Sequence, residues 1–380
     1  MADSNILDVE KLLTPIGGDN PAGIDIGHSV TMAEIEEMRK SILRGDNEAT
    51  EPGDQAEASA LMAQRRSEWR EIEKQLLATF SKGKDLGAAC LLVVATTNRA
   101  GWSALAPGFR LLKELQDQFW DTVYPLPDLE DEANPDYVDR LSKLERLDHE
   151  SFLPLAMRQV AITDPKVGNE YSWSSHRQLE MLQESKPGKD DDVDARKTHI
   201  EEQFRLFDEA VAKTSLGFYE TLFKNVDESV AELTALTDFV NERYAAVPEE
   251  DRPNFRNIQE TFAQCRNLAV RLFRKKGGKF PDEMEDSGGY SEDGSGEGGG
   301  ESGGSGGRGG EERDAVLLLE RALMAMKARE KHNPAVFLVE EAIRWTRMPI
   351  GEWYLEATQD PNMSGFISKL MGAGSSTPSE

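Results

Sequence analysis

The chain has little of three things that mark common classes of protein. Only two of its 380 residues are cysteine, Cys90 and Cys265, which excludes a disulfide scaffold and a thiolate zinc site. The longest apolar run, Leu86 to Ala95, has ten residues, about half of what a membrane-spanning helix needs. Basic residues are outnumbered: 44 Lys and Arg against 70 Asp and Glu give a net charge of −26. That charge argues against general binding to nucleic acid or to anionic membranes, both of which rely on an excess of cations.

The first residues also lack the basic and apolar regions of a secretory signal, so we expect a soluble, cytoplasmic protein. No pattern in the chain predicts a catalytic residue, a metal site or a cofactor. The five histidines do not fall at metal-ligand spacing, and Ser174-Ser175-His176 lacks a nucleophile elbow. The glycine fingerprint within 294–299 has no strand before it and no helix after it. Asp19, Asn20 and Asp25 offer oxygen atoms to a metal, but turn-forming side chains explain them better.

Glycine is concentrated in one segment, residues 277–312. These 36 residues hold 15 of the 32 glycines and almost no aliphatic side chain. Such a segment cannot bury enough apolar surface to offset the entropy of ordering its backbone. From residue 281 to 312 it carries ten acids and one base, Arg308, so self-repulsion extends it. We predict a disordered, Gly-rich acidic linker.

Residues 1–165 form the first predicted region, and it is helical. An acidic stretch near 45–57 has no clear pattern, and we predict a mobile loop there. One helical stripe then follows, made of Trp69, Ile72, Leu76 and Phe80. The run from Leu86 is as long as a buried strand, but its Ala content and its stop at Gly101 favour a central helix with Asp85 as its N-cap. A further amphipathic helix has a stripe of Leu105, Phe109, Leu112, Leu115 and Phe119.

Residues 195–276 form a second, middle helical region, which an exposed loop at 188–192 separates from the first. Apolar residues alternate in steps of three and four, as in the seams of helix bundles. The first seam is Val226, Val230, Leu233, Thr237, Val240 and Tyr244, and the second is Phe255, Ile258, Phe262, Cys265, Ala269 and Leu272. Five cations follow, namely Arg271, Arg274, Lys275, Lys276 and Lys279. Stabilisation of a helix C-terminus, attraction to the acidic linker and nucleic-acid binding all remain open for them, the last being the weakest.

Residues 313–372 form a small C-terminal domain of four predicted helices. Asn333 caps the second of these helices, with Pro334 at its first position. Sixty residues with so much apolar and aromatic surface cannot bury it all alone, so we expect the domain to self-associate. The predicted oligomer interface consists of Leu319, Leu323, Met326, Leu338, Ile343, Trp345, Ile350, Trp353, Phe366 and Leu370. No strand pair is evident anywhere, so the predicted fold class is all-α.

Several of these segments together resemble the ImpA N-terminal domain of TssA proteins from bacterial type VI secretion systems. The similarity begins at 12–25 and continues at 81–86, where the family shows Ser-Lys-Asp-Leu and this chain has two more residues. It extends to 108–112 and 119–125, and later to 332–336 and 342–353. The residues that carry it in the first region are Pro15, Gly18, Asp19, Asn20, Pro21, Gly23, Asp25, Trp69, Asp85, Leu86, Gly108, Trp120 and Pro125.

The resemblance implies a non-enzymatic scaffold of a type VI secretion system. It would act at the baseplate or in priming sheath and tube assembly, with a partner-binding N-terminal domain and a C-terminal domain that self-associates into a ring. The implied partners are further copies of the chain and baseplate, sheath or tube components, with neither nucleic acid nor membrane insertion. Two alternatives remain open: a helical adaptor of another pathway, and a hydrolase or nucleotide-dependent enzyme with an unrecognised site in the N-terminal domain.

Overall fold

The structure is a computed structural model. It describes residues 6–48, 55–130, 135–186 and 193–280, together with Leu323, Ile343 and Arg344. The described chain is helical, with isolated bridges but no strand among these residues, which confirms the predicted all-α class. Two 3-10 turns lie at Gly101–Ala104 and Glu249–Asp251. The helices are α1 (Val9–Leu12), α2 (Val30–Glu48), α3 (Gln55–Phe80), α4 (Leu86–Ala100), α5 (Leu105–Gln118), α6 (Val138–Asp148), α7 (Leu153–Gln159), α8 (Trp173–Glu184), α9 (Val193–Lys213), α10 (Leu216–Arg243) and α11 (Arg256–Lys275).

Helix α4 is the centre of the core, as its composition predicts. Asp85 is its N-cap, with Oδ1 accepting a 2.7 Å hydrogen bond from the Ala88 N–H, and Gly101 is its C-cap. Eleven of its fifteen residues are buried, because α3, α5, α6 and α7 all pack around it. The two buried threonines, Thr96 and Thr97, donate their hydroxyls to backbone carbonyls one turn earlier, at 2.7 Å each. A helix apolar on every side can therefore be buried with its polar groups satisfied.

Helices α2 and α3 pack against each other, and α3 packs on α4. The predicted α3 stripe is confirmed, because Trp69, Ile72, Leu76 and Phe80 are all buried. The prediction of a mobile loop near 45–57 is wrong at both ends of that range, because α2 continues to Glu48 and α3 begins at Gln55. The lack of an apolar pattern in this stretch therefore did not signal a loop over its whole length. Residues 49–54 between the two helices lie outside the described part.

Helix α10 of the middle region packs lengthwise on α5 of the first region. Its predicted seam is wrong at one position, because Val230 is exposed and Ser229 is buried in its place. Ser229 satisfies its hydroxyl on the Asn225 carbonyl at 2.6 Å, so burying it costs little. The α11 seam is confirmed, and Phe262 packs on both Trp102 and Phe109 at ring-centroid distances of 6.2 and 6.3 Å. The regions predicted at 1–165 and 195–276 therefore share one core.

Helix α11 begins without a side-chain cap of its own, since Phe255 precedes it with a φ of 54°. Asp148 at the end of α6 supplies the cap: its carboxylate oxygens accept from Ile258 N at 2.9 Å and Asn257 N at 3.3 Å. After α11 the chain stays packed for several residues. Gly278 N donates to the Phe273 carbonyl at 3.0 Å, and the Phe280 ring lies 5.2 Å from that of Phe273. These residues fall inside the segment predicted as linker, so the packed chain continues past 277.

The chain divides into two compact units, residues 1–290 and residues 291–380. In the second unit Leu323, Ile343 and Arg344 are described; all three are helical, and Ile343 is buried. The rest of the helices predicted within 313–372, the linker from 281 to 312 and the loop at 188–192 lie outside the described residues. Within the described part of the chain, no helix combines the length and the apolar character that crossing a bilayer requires.

Candidate interaction surface

Three loops that carry the family motifs meet at one corner of the first unit. The first contains residues 15–27, the second joins α3 to α4, and the third follows α5. Backbone hydrogen bonds join the first two loops: Ile24 N donates to Lys82 O at 3.1 Å, and Lys84 N donates to Ala22 O at 2.7 Å. Tyr124 of the third loop donates its N–H to Lys84 O at 3.0 Å and accepts from Leu86 N at 2.8 Å. We call this junction the motif corner.

The first loop is shaped by its own side chains. Asn20 Oδ1 accepts from Ala22 N at 2.9 Å, and Asp25 Oδ1 accepts from Gly27 N at 2.8 Å, which are the turn-forming contacts expected of these residues. Gly23 has a φ of 76°, and a Cβ there would lie 2.2 Å from the Lys82 carbonyl oxygen. A side chain would therefore force the first two loops apart.

The side chain of Lys84 holds the second loop against α1. Its side chain is buried, and its ammonium donates to the Leu12 carbonyl at 2.5 Å and lies 4.9 Å from the centre of the Phe80 ring. Burial lowers the pKa of this lysine. The Lys84 side chain therefore attaches the second loop to α1, and the backbone hydrogen bonds described above attach it to the first loop.

Arg140 of α6 holds the third loop in place. Its guanidinium is buried and donates to three carbonyl oxygens, those of Trp120 at 3.1 Å, Val123 at 3.0 Å and Pro125 at 3.1 Å. It also lies 5.2 Å from the centre of the Trp120 ring. The sequence did not reveal this role, because an arginine on a helix is more often exposed. The sequence signal was its position as the third residue of α6, on the same face as buried Leu144 and Leu147.

The remaining predicted motif residues have separate structural roles. Asp85 is buried as the α4 N-cap, and burial raises the pKa of its carboxyl group. Gly108 allows α5 to approach α4, since a Cβ there would lie 2.9 Å from Val93 Cγ1. Trp69 and Leu86 are core residues. Pro15, Gly18, Asp19, Pro21 and Asp25 are exposed on the first loop, and Pro125 and Trp120 are half-buried on the third.

The residues with nucleophilic character serve the fold. Ser175 forms a reciprocal capping box with Ser172 at the start of α8. The neighbouring His176 ring packs 4.9 Å from that of Phe207. Cys90 and Cys265 are buried, and burial raises the pKa of both thiols. Among the residues that the structure describes, no three His, Cys, Asp or Glu side chains come together as a metal site.

Residues 13–149, which include all three loops and Arg140, match the family model described as ImpA, N-terminal, type VI secretion system. A relative from Pseudomonas aeruginosa, the type VI secretion system component TssA1, is 33% identical over 150 residues. Residues 13–149 are therefore similar to the ImpA N-terminal region of type VI secretion system proteins. The alignment spans 40% of this chain and 40% of that relative's length.

The fold extends the likeness beyond the matched family region. A solved N-terminal domain that includes the conserved ImpA_N region, from the TssA component of the Burkholderia cenocepacia type VI secretion system, superposes with a TM-score of 0.52. It is 24% identical and covers 72% of this chain and 96% of that chain. At that identity the likeness shows the fold alone. The region that matches the ImpA N-terminal model ends one residue after Asp148, the residue whose side chain caps α11.

The motif corner exposes apolar side chains as well as turns. Ile24, which directly follows Gly23, is 62% exposed, and Leu126, which directly follows Pro125, is 47% exposed. Leu129 and Val138 are also exposed, on either side of the backbone pairing between Asp128 and Asp136. The loops beneath these side chains are fixed by the hydrogen bonds described above. The motif corner therefore presents exposed apolar side chains on loops that backbone hydrogen bonds join.

Proposed function

We propose that this chain is a non-enzymatic assembly factor of a type VI secretion system. The observation that carries the proposal is the match of residues 13–149 to the ImpA N-terminal family, whose motif loops this structure joins at one corner. The relative named as a type VI secretion system component supports the same assignment. The protein would act in the cytoplasm, at the baseplate or in priming the sheath and tube.

In this proposal the motif corner binds a type VI partner protein. The apolar side chains of Ile24 and Leu126 would be buried in the complex, and the exposed turn around Gly18 and Asp19 would surround them with polar groups. Arg140 and Lys84 hold the supporting loops in one conformation before binding. Little ordering entropy would then be lost on association.

The proposed second activity is self-association through residues 313–372. The support is compositional: the interface predicted above is too large for a 60-residue domain to bury by itself. Of its ten residues, Leu323 and Ile343 are described, and both are helical. A ring joined to several N-terminal units by the acidic linker would bind a symmetric partner with avidity, because each linker raises the effective concentration of the next contact.

The motif corner is tested by substituting its exposed apolar residues in the full chain. We expect Ile24→Asp combined with Leu126→Asp to abolish co-purification with baseplate components and to abolish secretion in the native bacterium. Val230→Asp, an exposed valine on α10, is the matched control and should leave both unchanged. Circular dichroism establishes that all variants fold. Retained binding and secretion by a folded double variant would refute the role of this surface.

A further inference from the structure

A cleft distinct from the motif corner lies between the end of α4 and the beginning of α10. It has a volume of about 450 Å³, and the end of α7 and the loop at 160–170 complete its walls. Trp102, Val160 and Leu222 supply apolar surface, and Phe218 lines it near the first turn of α10. A volume of this size accommodates a few side chains of a peptide.

The polar groups of this cleft are suited to an acidic peptide. Gln159 and Asn225 line it, and their side-chain amides make no hydrogen bond within the described part of the chain, so they are available to a peptide backbone. The Lys166 ammonium likewise forms no ion pair with any described residue. Ser215, the N-cap of α10, places the positive end of a 28-residue helix at the same cleft. Asp164 also lines it, with its carboxylate on the Lys166 N–H at 3.0 Å.

The last continuously described residue, Phe280, lies close to this cleft. The centroid of its ring is 5.2 Å from that of Phe273. The Phe273 ring is 6.3 Å from the Tyr219 ring, and the Tyr219 ring is 5.8 Å from that of Phe218 on the cleft wall. Three successive ring contacts therefore connect Phe280, where the continuously described chain ends, to the cleft wall. Ten extended residues span up to about 33 Å. The residues after Phe280 can reach the cleft with several to spare.

The next ten residues have the complementary composition. Residues 281–290 carry four acids, Asp282, Glu283, Glu285 and Asp286, and no base, together with Met284 and Tyr290 as the large apolar side chains. We propose that this segment binds in the cleft of its own chain, with its carboxylates toward Lys166 and the α10 N-terminus. A short connection gives an effective concentration in the millimolar range, so even a weak peptide site is occupied. The free linker then begins near residue 291 and not at 277.

Carbodiimide cross-linking of the dilute full chain, read by mass spectrometry, tests this directly. We expect a bond between the Lys166 ammonium and a carboxylate of 282–286, with a yield that falls as salt is raised. Lys40, which is exposed on α2 and does not line the cleft, is the reference lysine and should show no such bond. Mixing isotopically labelled and unlabelled chains separates the two origins of a cross-link. Linkage within one chain supports the proposal, and linkage only between copies overturns it.

Hydrogen exchange gives a second readout that does not depend on cross-linking chemistry. We expect amides of 159–166 and 215–222 to exchange about tenfold faster when Asp282, Glu283, Glu285 and Asp286 are replaced by Asn or Gln. The control neutralises an equal number of acids further along the linker, at Glu292, Asp293, Glu297 and Glu301, and should exchange like the wild type. Equal exchange in all three proteins, or absence of the Lys166 cross-link, would overturn the proposal.

Discussion

The Tyr244 hydroxyl donates a 2.7 Å hydrogen bond to Gln116 Oε1, and both side chains are buried. The bond joins the end of α10 to α5, across 128 residues of sequence. The Trp120 ring packs against the same tyrosine, with its centroid 5.0 Å from that of the Tyr244 ring. The middle region therefore supports the side of α5 from which the third motif loop emerges.

Tyr244→Phe should reduce the free energy of unfolding by about 1–2 kcal/mol, because it leaves Gln116 Oε1 buried without its donor. Tyr219→Phe is the matched control. The Tyr219 hydroxyl is also buried but makes no hydrogen bond with the described residues, so its removal should be neutral or slightly stabilising. Urea unfolding of the full chain measures both changes. Equal losses in the two variants would show that the bond to Gln116 contributes nothing specific.

Arg140→Met should destabilise the protein by about 3 kcal/mol, since three carbonyl oxygens of the third loop lose their donor together. Arg110→Met is the control: it removes an exposed ion pair with Glu232, also between α5 and α10, and should cost less than about 1 kcal/mol. Urea unfolding measures the stability. A loss no larger than that of the control would contradict the role assigned to Arg140.

His176 should make stability depend on pH. Burial against Phe207 lowers its pKa, with Arg271 and Arg177 acting in the same direction and Glu180 opposing them. The folded state therefore prefers the neutral ring, and its contribution is complete above the unfolded pKa of about 6.5 and lost as pH falls below it. His176→Phe should lose less stability than the wild type between pH 7.5 and 5.5. Urea unfolding across this pH range measures the change, and a pH slope of the His176 variant equal to that of the wild type would refute the assignment.

The sequence predicted best those elements whose signals are local. Helix α4 was predictable because its N-cap Asp85, its length and its stop at Gly101 all lie within a few residues of it. The Val230 error has the opposite cause: hydropathy favours Val230 over Ser229, and only the bond to the Asn225 carbonyl makes Ser229 suitable for the core.

The motif corner was predictable in part. The resemblance identified its residues, but it could not show that three loops spread over about 110 residues of sequence are joined. Lys84, Arg140 and Asp148 escaped notice because charged residues usually face solvent. Their partners are distant in sequence, such as Leu12 for Lys84 and Ile258 for Asp148. Only tertiary contacts distinguish such residues from ordinary surface charges.

The proposed function depends most directly on self-association of the full chain. Light scattering coupled to size exclusion, at tens of micromolar protein, measures the molar mass against the 42.3 kDa of one chain. We expect a mass several times larger, which falls toward 42.3 kDa when Trp345 and Trp353 of the predicted interface are both replaced by Glu and which Val230→Glu leaves unchanged. A wild-type mass of 42.3 kDa would contradict the proposal that this chain is a multivalent scaffold.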